Sequence, residues 1–268
     1  MAFESKYIFR HFERSVRETF RYAQSPELVA FLEELVVTSS RFVANLKAET
    51  VLYRARLGHG WERGGDKQRD GLDHRRAYRL KEMIPDPKYA ADGRVNARGI
   101  ACLYLAEQAE TAVLEVRPQS GFYVSLARFR ILRDLHLVDF SKHLMEDMLA
   151  PCSASPTPEQ IETRVWMDIN SAFSAPVTRA DEAASYIPTQ IIAETLKARG
   201  YDGIAYKSGC GGRGRNVALF DIAAAEPLTC AMHQVECSVR LGDGYHPYPI
   251  NSCGRMDVSP EIAAEEFP

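Results

Sequence analysis

The sequence predicts an α+β fold built on a mixed or antiparallel β-sheet, and three observations carry that expectation. Strand-like and helix-like segments interleave irregularly, without the alternation a parallel βαβ series requires. The 268-residue chain shows neither internal repeats nor a Ser/Gly linker, which points to one domain preceded by a helical extension. A composition of 46% hydrophobic and 26% charged residues supplies both a core and a solvated surface.

Residues 4–22 read as a helix, because Ile8, Phe12, Val16 and Phe20 recur every four positions as an apolar stripe. Ser25 and Pro26 are start signals for a second helix over 26–37. VLYRARL (51–57) is the first strand, and the charged, glycine-bearing stretch from His59 to Glu82 reads as a loop long enough to cover a site. ACLYLA (101–106) is a buried-type strand and EQAETAVLEV (107–116) a helix. FYVSLARFRIL (122–132) and HLVDF (136–140) follow as strands, with helices over 142–150 and 158–173 around the breaker-rich PCSASPTP. YIPTQIIAETLKAR (186–199) is helical and stops at Gly200, a residue suited to the position after a helix end. GIAYKS (203–208), NVALF (216–220) and TCAMHQVECSVRL (229–241) complete the strands, and the tail from Gly242 is irregular.

Charge and cysteine usage exclude several classes. A net charge of -3 provides no global field for nucleic acid. No apolar run approaches the roughly 18 to 20 residues a membrane span needs, and the charged N-terminus lacks a signal-peptide core, so a cytoplasmic protein is expected. Six irregularly spaced cysteines fit reduced thiols better than a disulfide framework. Cys230, His233 and Cys237, with Cys253 beyond, could in principle ligate zinc, but the spacing matches no common zinc module and no metal is expected. Arg10, Arg14, Arg17 and Arg21 share a helix face that could dock an acidic partner or phosphates; a solvated face with Glu13 and Glu18 pairing locally explains it more simply.

Three glutamates lie in the stretch from Tyr104 to Pro118. Glu107 and Glu110 fall in the first helical turn, where the macrodipole favours anions. Glu115 falls at the opposite end among apolar neighbours, so it either pairs with a cation such as Arg117 or has a chemical role. Arg54 is embedded in a strand that should be buried and needs an anionic partner, which a ligand could supply. Arg94 stands beside Gly93, where backbone can approach a ligand. Ser208 opens a loop with four glycines that matches neither the Walker nor the dinucleotide-binding fingerprint.

Taken in order, VLYRAR, then IPDPKYAADGRVNARGIACLYLAEQAETAVLEVRP, then YIPTQIIAETLKARGYDGIAYKSGCGGRGRNVALF, the chain resembles the RES domain, named for an Arg, a Glu and a Ser. The resemblance divides the chain into an N-terminal helical extension (1–50), a RES domain (51–241) and an irregular tail (242–268). It equates the family's Arg, Glu and Ser with Arg54, Glu115 and Ser208, and adds Arg94 and Tyr104. It implies an ADP-ribosyltransferase-like fold and a toxin of a bacterial toxin–antitoxin pair. The implied partner is an Xre-like, DNA-binding antitoxin, and a homodimer is compatible with the pattern. NAD+ would be a substrate, with no cofactor required, and its nicotinamide–ribose bond would be cleaved by hydrolysis or phosphorolysis. ADP-ribosyl transfer to a protein and non-catalytic binding of NAD+ or ADP-ribose are the alternatives. In that chemistry Glu115 stabilises the cation developing at the ribose. Arg54 and Arg94 hold the pyrophosphate, Tyr104 stacks on a ring or serves the core, and Ser208 contacts the ribose side and places Glu115. Lys207 and Arg213 are expected in a solvated loop.

Overall fold

The computed structural model describes residues 3–63, 73–143, 156–175, 182–210 and 214–236. Helices α1 (Ile8–Glu18) and α2 (Pro26–Ser39) come first, followed by strands β1 (Val43–Leu46), β2 (Val51–Leu57), β3 (Gly60–Glu62) and β4 (His74–Arg76). Next are β5 (Leu103–Ala106), α3 (Ala109–Glu115), β6 (Tyr123–Ile131), β7 (Leu135–Asp139), α4 (Pro158–Ser174) and α5 (Glu182–Ser185). The chain continues through α6 (Ile187–Ala198), β8 (Gly203–Lys207), β9 (Arg215–Leu219) and β10 (Ala225–Gln234). Eight strands form one sheet in the order β1-β7-β8-β9-β5-β2-β6-β10; β3 and β4 pair separately. Every neighbouring pair in the large sheet is antiparallel except β7–β8, so the α+β architecture with a mixed, mainly antiparallel sheet is as the sequence predicts.

Local signals explain the helix ends. The Ser25 hydroxyl accepts from Leu28 N at 3.4 Å, and Pro26 occupies the first turn of α2, where its missing N–H costs nothing. Thr157 and Gln160 form a reciprocal cap at the start of α4. Gly200 follows α6 with φ of +89°, a conformation that strains any residue with a Cβ. By contrast α3 has only seven residues and cannot persist alone. It is held by Ala112, which packs with Ala55 of β2, Ala106 of β5 and Val124 of β6.

One face of β7, β8 and β9 presents Val138, Ile204, Tyr206 and Ala218 to a layer made by α1, α2, α4 and α6. The other face presents Leu137, Ala205 and Val217 to a second cluster that includes Leu52, Phe129 and Met83. This double burial explains why GIAYKS and NVALF read as continuous apolar runs rather than alternating ones. Trp166 is central to the helical layer. Its ring lies 4.3 Å from Phe42 and 5.5 Å from Phe140, and its indole N–H donates to Thr38 Oγ1 at 3.2 Å.

Several elements differ from expectation. Residues 43–46, expected within a helical extension, form β1 and pair with β7. The apolar side chains of α1 join the same core as α4 and α6, so the N-terminal helices complete this layer. The stretch from His59 to Glu82 contains the β3–β4 pair and a 3₁₀ turn at Leu80–Met83. The expected helix over 142–150 lies outside the described residues from 144 on, as do Cys237, Arg213 and the tail from 242. Three of the four arginines of the stripe are paired: Arg14 with Glu18 (3.0 Å), Arg17 with Glu13 (2.8 Å) and Arg10 with Asp168 (3.4 Å), while Arg21 is exposed beyond the end of α1. Among the described residues no helix is long and apolar enough to cross a membrane, and no group of three His, Cys, Asp or Glu could hold a metal.

Removing the Trp166 ring tests the helical layer. Trp166→Ala is expected to destabilise the fold by about 3–5 kcal/mol, as a fully buried aromatic does. Equilibrium urea unfolding checks this, and a loss below ~1 kcal/mol would show that the layer does not depend on it.

Candidate active site

The site forms where the sheet opens. β2 pairs along its whole length with β6, but it pairs with β5 at one position, Tyr53 with Ala106. Two residues further along β5, the Tyr104 carbonyl receives a side-chain donor instead of a ladder N–H: Arg54 Nη1 at 3.0 Å. Between the diverging strands lies a cavity of about 510 Å³, lined by Arg54, Arg56, Arg94, Tyr104, Glu115 and Asn216, with Tyr186 and Tyr206. A second cavity of about 620 Å³ adjoins it and shares Arg54, Arg56 and Tyr104. Two cations, Arg54 and Arg56, thus line both cavities.

Glu115 is the last residue of α3, at the negative end of the helix dipole. Two neutral donors offset that placement. Ser208 Oγ donates to Glu115 Oε1 at 2.6 Å and Asn216 Nδ2 donates to the same oxygen at 2.7 Å. The Cys210 thiol lies 3.9 Å from Oε2, a long contact that leaves this oxygen's lone pairs available. Ser208 follows β8 and Asn216 lies in β9, both buried; Tyr206 pairs with Asn216 in the ladder. The Ser208 hydroxyl also accepts from Cys210 N at 3.3 Å, which ties the glycine loop to the carboxylate.

Among the described residues no carboxylate pairs with Arg54, Arg56 or Arg94. Among the described residues Arg54 has no acidic partner, and its Nε is buried without a hydrogen bond. Burial, with the neighbouring Arg56 charge, pushes its pKa down to about 10. A folded-state pKa below the unfolded one means that the charge costs stability at neutral pH. That cost lifts as pH rises through about 10, or when an anion arrives. Arg94 sits on the loop before β5. Its guanidinium donates to the carbonyls of Ala172 (3.4 Å) and Ala175 at the end of α4, and lies 5.8 Å from the Tyr186 ring centre. A cation at the carbonyl end of a helix is favourable and leaves further N–H donors for a ligand. Arg56 is exposed, lies 4.7 Å from the Tyr78 ring centre and donates to the Glu82 carbonyl.

The phenols are not bases. Tyr104 donates to Asn96 Oδ1 at 2.7 Å and accepts from Val95 N at 2.9 Å, so its hydroxyl serves the Arg94 loop while its ring lines the cavity. Burial pushes its pKa well above the ordinary value. Tyr206 is raised as well, first by burial and then by the Glu115 charge. Both remain protonated at neutral pH.

The structure therefore brings Arg54, Arg94, Tyr104 and Glu115 to one cavity, with Ser208 bonded to Glu115 from behind. Lys207 is exposed. Sequence reading missed Asn216, Tyr186 and Tyr206. An Asn opening an otherwise apolar strand was the available signal for Asn216, since a buried amide requires partners. Glu107 is a correction. It precedes α3 rather than lying in its first turn, and it pairs with Arg215, which also binds the fully buried Asp139.

The RES domain model matches residues 52–241. No curated protein sequence matches the chain. Among solved structures, the chain is similar to one from the crystal structure of the M. tuberculosis MbcT–MbcA toxin–antitoxin complex, with 14% identity, covering 75% of this chain and 92% of that one at a TM-score of 0.37.

The uncompensated Arg54 charge generates a prediction. Arg54→Met removes the desolvation cost of a half-buried cation but also the donor to the Tyr104 carbonyl, so the two effects oppose and the ligand-free melting temperature is expected to change little. ADP-ribose is expected to raise the melting temperature of the parent protein and not that of the variant. Thermal unfolding with and without ADP-ribose reads both effects, and a variant that melts lower but keeps the ligand shift would contradict the assignment.

Proposed function

The chain belongs to the RES domain family, and from that premise we propose that it is a toxin of a toxin–antitoxin pair that consumes NAD+ by breaking the nicotinamide–ribose bond. The observation that supports this reading best is Glu115. Its carboxylate is oriented through one oxygen by Ser208 and Asn216, while among the described residues the other meets only the long Cys210 thiol contact, within a cleft that also holds Arg54 and Arg94.

The chemistry follows from charge. In NAD+ the pyridinium nitrogen is positive. As the C1′–N bond breaks, its electron pair passes to nitrogen, nicotinamide departs neutral, and the positive charge moves to the ribose as an oxocarbenium-like centre. The leaving group needs no general acid, so a single carboxylate suffices. Glu115 stabilises the ribose charge as it develops, and pre-oriented charge is effective because no reorganisation is needed at the moment of reaction. Arg54, Arg56 and Arg94 receive the pyrophosphate with planar, charge-assisted donors. Binding relieves the desolvation cost carried by Arg54, so ligand affinity is drawn partly from strain in the free protein. Water or phosphate then attacks C1′ through oxygen and releases its proton to Glu115 or solvent. Ser208 acts through Glu115, because its hydroxyl is committed to holding that carboxylate in place. Growth arrest follows from loss of NAD+ and is relieved by an Xre-like, DNA-binding antitoxin.

Glu115→Gln keeps the shape and an oxygen that accepts from Ser208 and Asn216, but removes the charge. Nicotinamide release is expected to fall about 10²-fold or more, and parent-like release would refute the role of Glu115. Product analysis with and without phosphate identifies the reaction class. Free ADP-ribose marks hydrolysis, ADP-ribose-1″-phosphate marks phosphorolysis, and label on a protein marks transfer. Saturable NAD+ binding without turnover would mark a regulator instead.

A further inference from the structure

Arg94 is carried on a loop that makes no strand pairing, yet its guanidinium must be placed for a ligand. The loop closes on itself through Gly93 N to Asn96 O at 2.9 Å. On one side it rests on Tyr104, whose hydroxyl lies so close to Gly93 that a Cβ there would come within 2.5 Å of it. On the other side a single side chain from α6 reaches it. The amide of Gln190, a buried residue, donates from Nε2 to Gly93 O at 2.9 Å and to Asn96 O at 2.9 Å, with Asp92 Oδ1 at 3.5 Å. Both N–H donors of the amide thus have carbonyl acceptors on either side of Arg94. The helix that supplies Gln190 also supplies its capping residue Tyr186 beneath the Arg94 guanidinium.

We propose that Gln190 is a positioning residue: its amide clamps the 93–96 loop and thereby fixes Arg94 where it binds the diphosphate of the substrate. This rests on the reading of the cleft as an NAD+ site. Gln190 touches no reacting atom, so its loss weakens ground-state binding and leaves the bond-breaking step, which belongs to Glu115, unaffected.

The test uses the full chain with two substitutions. Gln190→Leu removes both donors. Gln190→Glu removes them when ionised but restores one O–H donor when protonated, and burial beside two carbonyls and Asp92 favours the protonated form. In nicotinamide-release kinetics, Gln190→Leu is expected to raise KM about tenfold with kcat within about threefold of the parent. Gln190→Glu should match it at pH 8 and regain most of the lost affinity at pH 5.5, while Gln190→Leu does not recover. A fall in kcat that tracks the folded fraction, or identical pH behaviour of the two variants, would overturn the clamp. Calorimetry with ADP-ribose separates this failure from failure of the NAD+ reading. A parent protein that binds ADP-ribose without turning over NAD+ loses the enzymatic assignment, and the clamp then stands on a tenfold weaker Kd in Gln190→Leu. A parent that does not bind ADP-ribose, or variants that bind it equally well, overturns the clamp.

Discussion

The contact between the Arg54 guanidinium and the Tyr104 carbonyl organises the site. A sheet in which β2 and β5 zipped along their full length would have no cleft. Here the ladder stops after one pair, and a side-chain donor from β2 satisfies the backbone acceptor that the ladder leaves behind. The solution is asymmetric, because it satisfies the carbonyl while leaving a buried cation with an orphaned Nε. A hydrophobic residue would avoid the desolvation cost but would leave the carbonyl without its donor and offer nothing to an anion. The opening of the sheet and the half-buried cation beside the cavity go together with the same substitution of side chain for backbone.

Around that opening the protein assigns distinct work to chemically identical groups. Glu107 is consumed in an ion pair with Arg215, which reaches on to the buried Asp139 and ties β9 to β7. Glu110 sits in the first turn of α3, where an anion belongs. Among the described residues Glu115 is oriented by neutral donors, with two bonds on one oxygen and a long thiol contact on the other. Neutral partners matter here. A cation bonded directly to Glu115 would neutralise its field, whereas a hydroxyl and an amide fix orientation while leaving the negative charge largely intact.

The N-terminal helices illustrate the limit of reading a surface from charge alone. Four arginines at helical spacing in the sequence resemble a docking stripe, yet α1 ends before Arg21, and Arg10, Arg14 and Arg17 are met by carboxylates from α4 and from α1 itself. The opposite face, with Phe9, Phe12 and Val16, is buried in the layer that backs the sheet. These helices support the cleft from behind: α4, packed against them, ends at the carbonyls that receive Arg94, and α6 presents the amide that holds the Arg94 loop.

Sequence by itself determined the elements with strong local causes. The strand VLYRARL, the capped starts of α2 and α4, the stop at Gly200 and the mixed α+β class all follow from periodicity, capping and turn chemistry within a few residues. Arg54 and Glu115 also stood out locally, each as a charge where burial or the helix dipole disfavours one. Only the tertiary structure decided the rest. β1 was invisible because a four-residue edge strand carries too little pattern and owes its existence to pairing with β7. Asn216 and Gln190 were invisible as site residues because an amide's role lies in its partners, and theirs are 101 and 94–97 residues away along the chain. The fate of Glu107 turned on Arg215 in the same way, at a separation of 108 residues. Local sequence encodes what a residue costs; the fold alone determines which distant group offsets that cost.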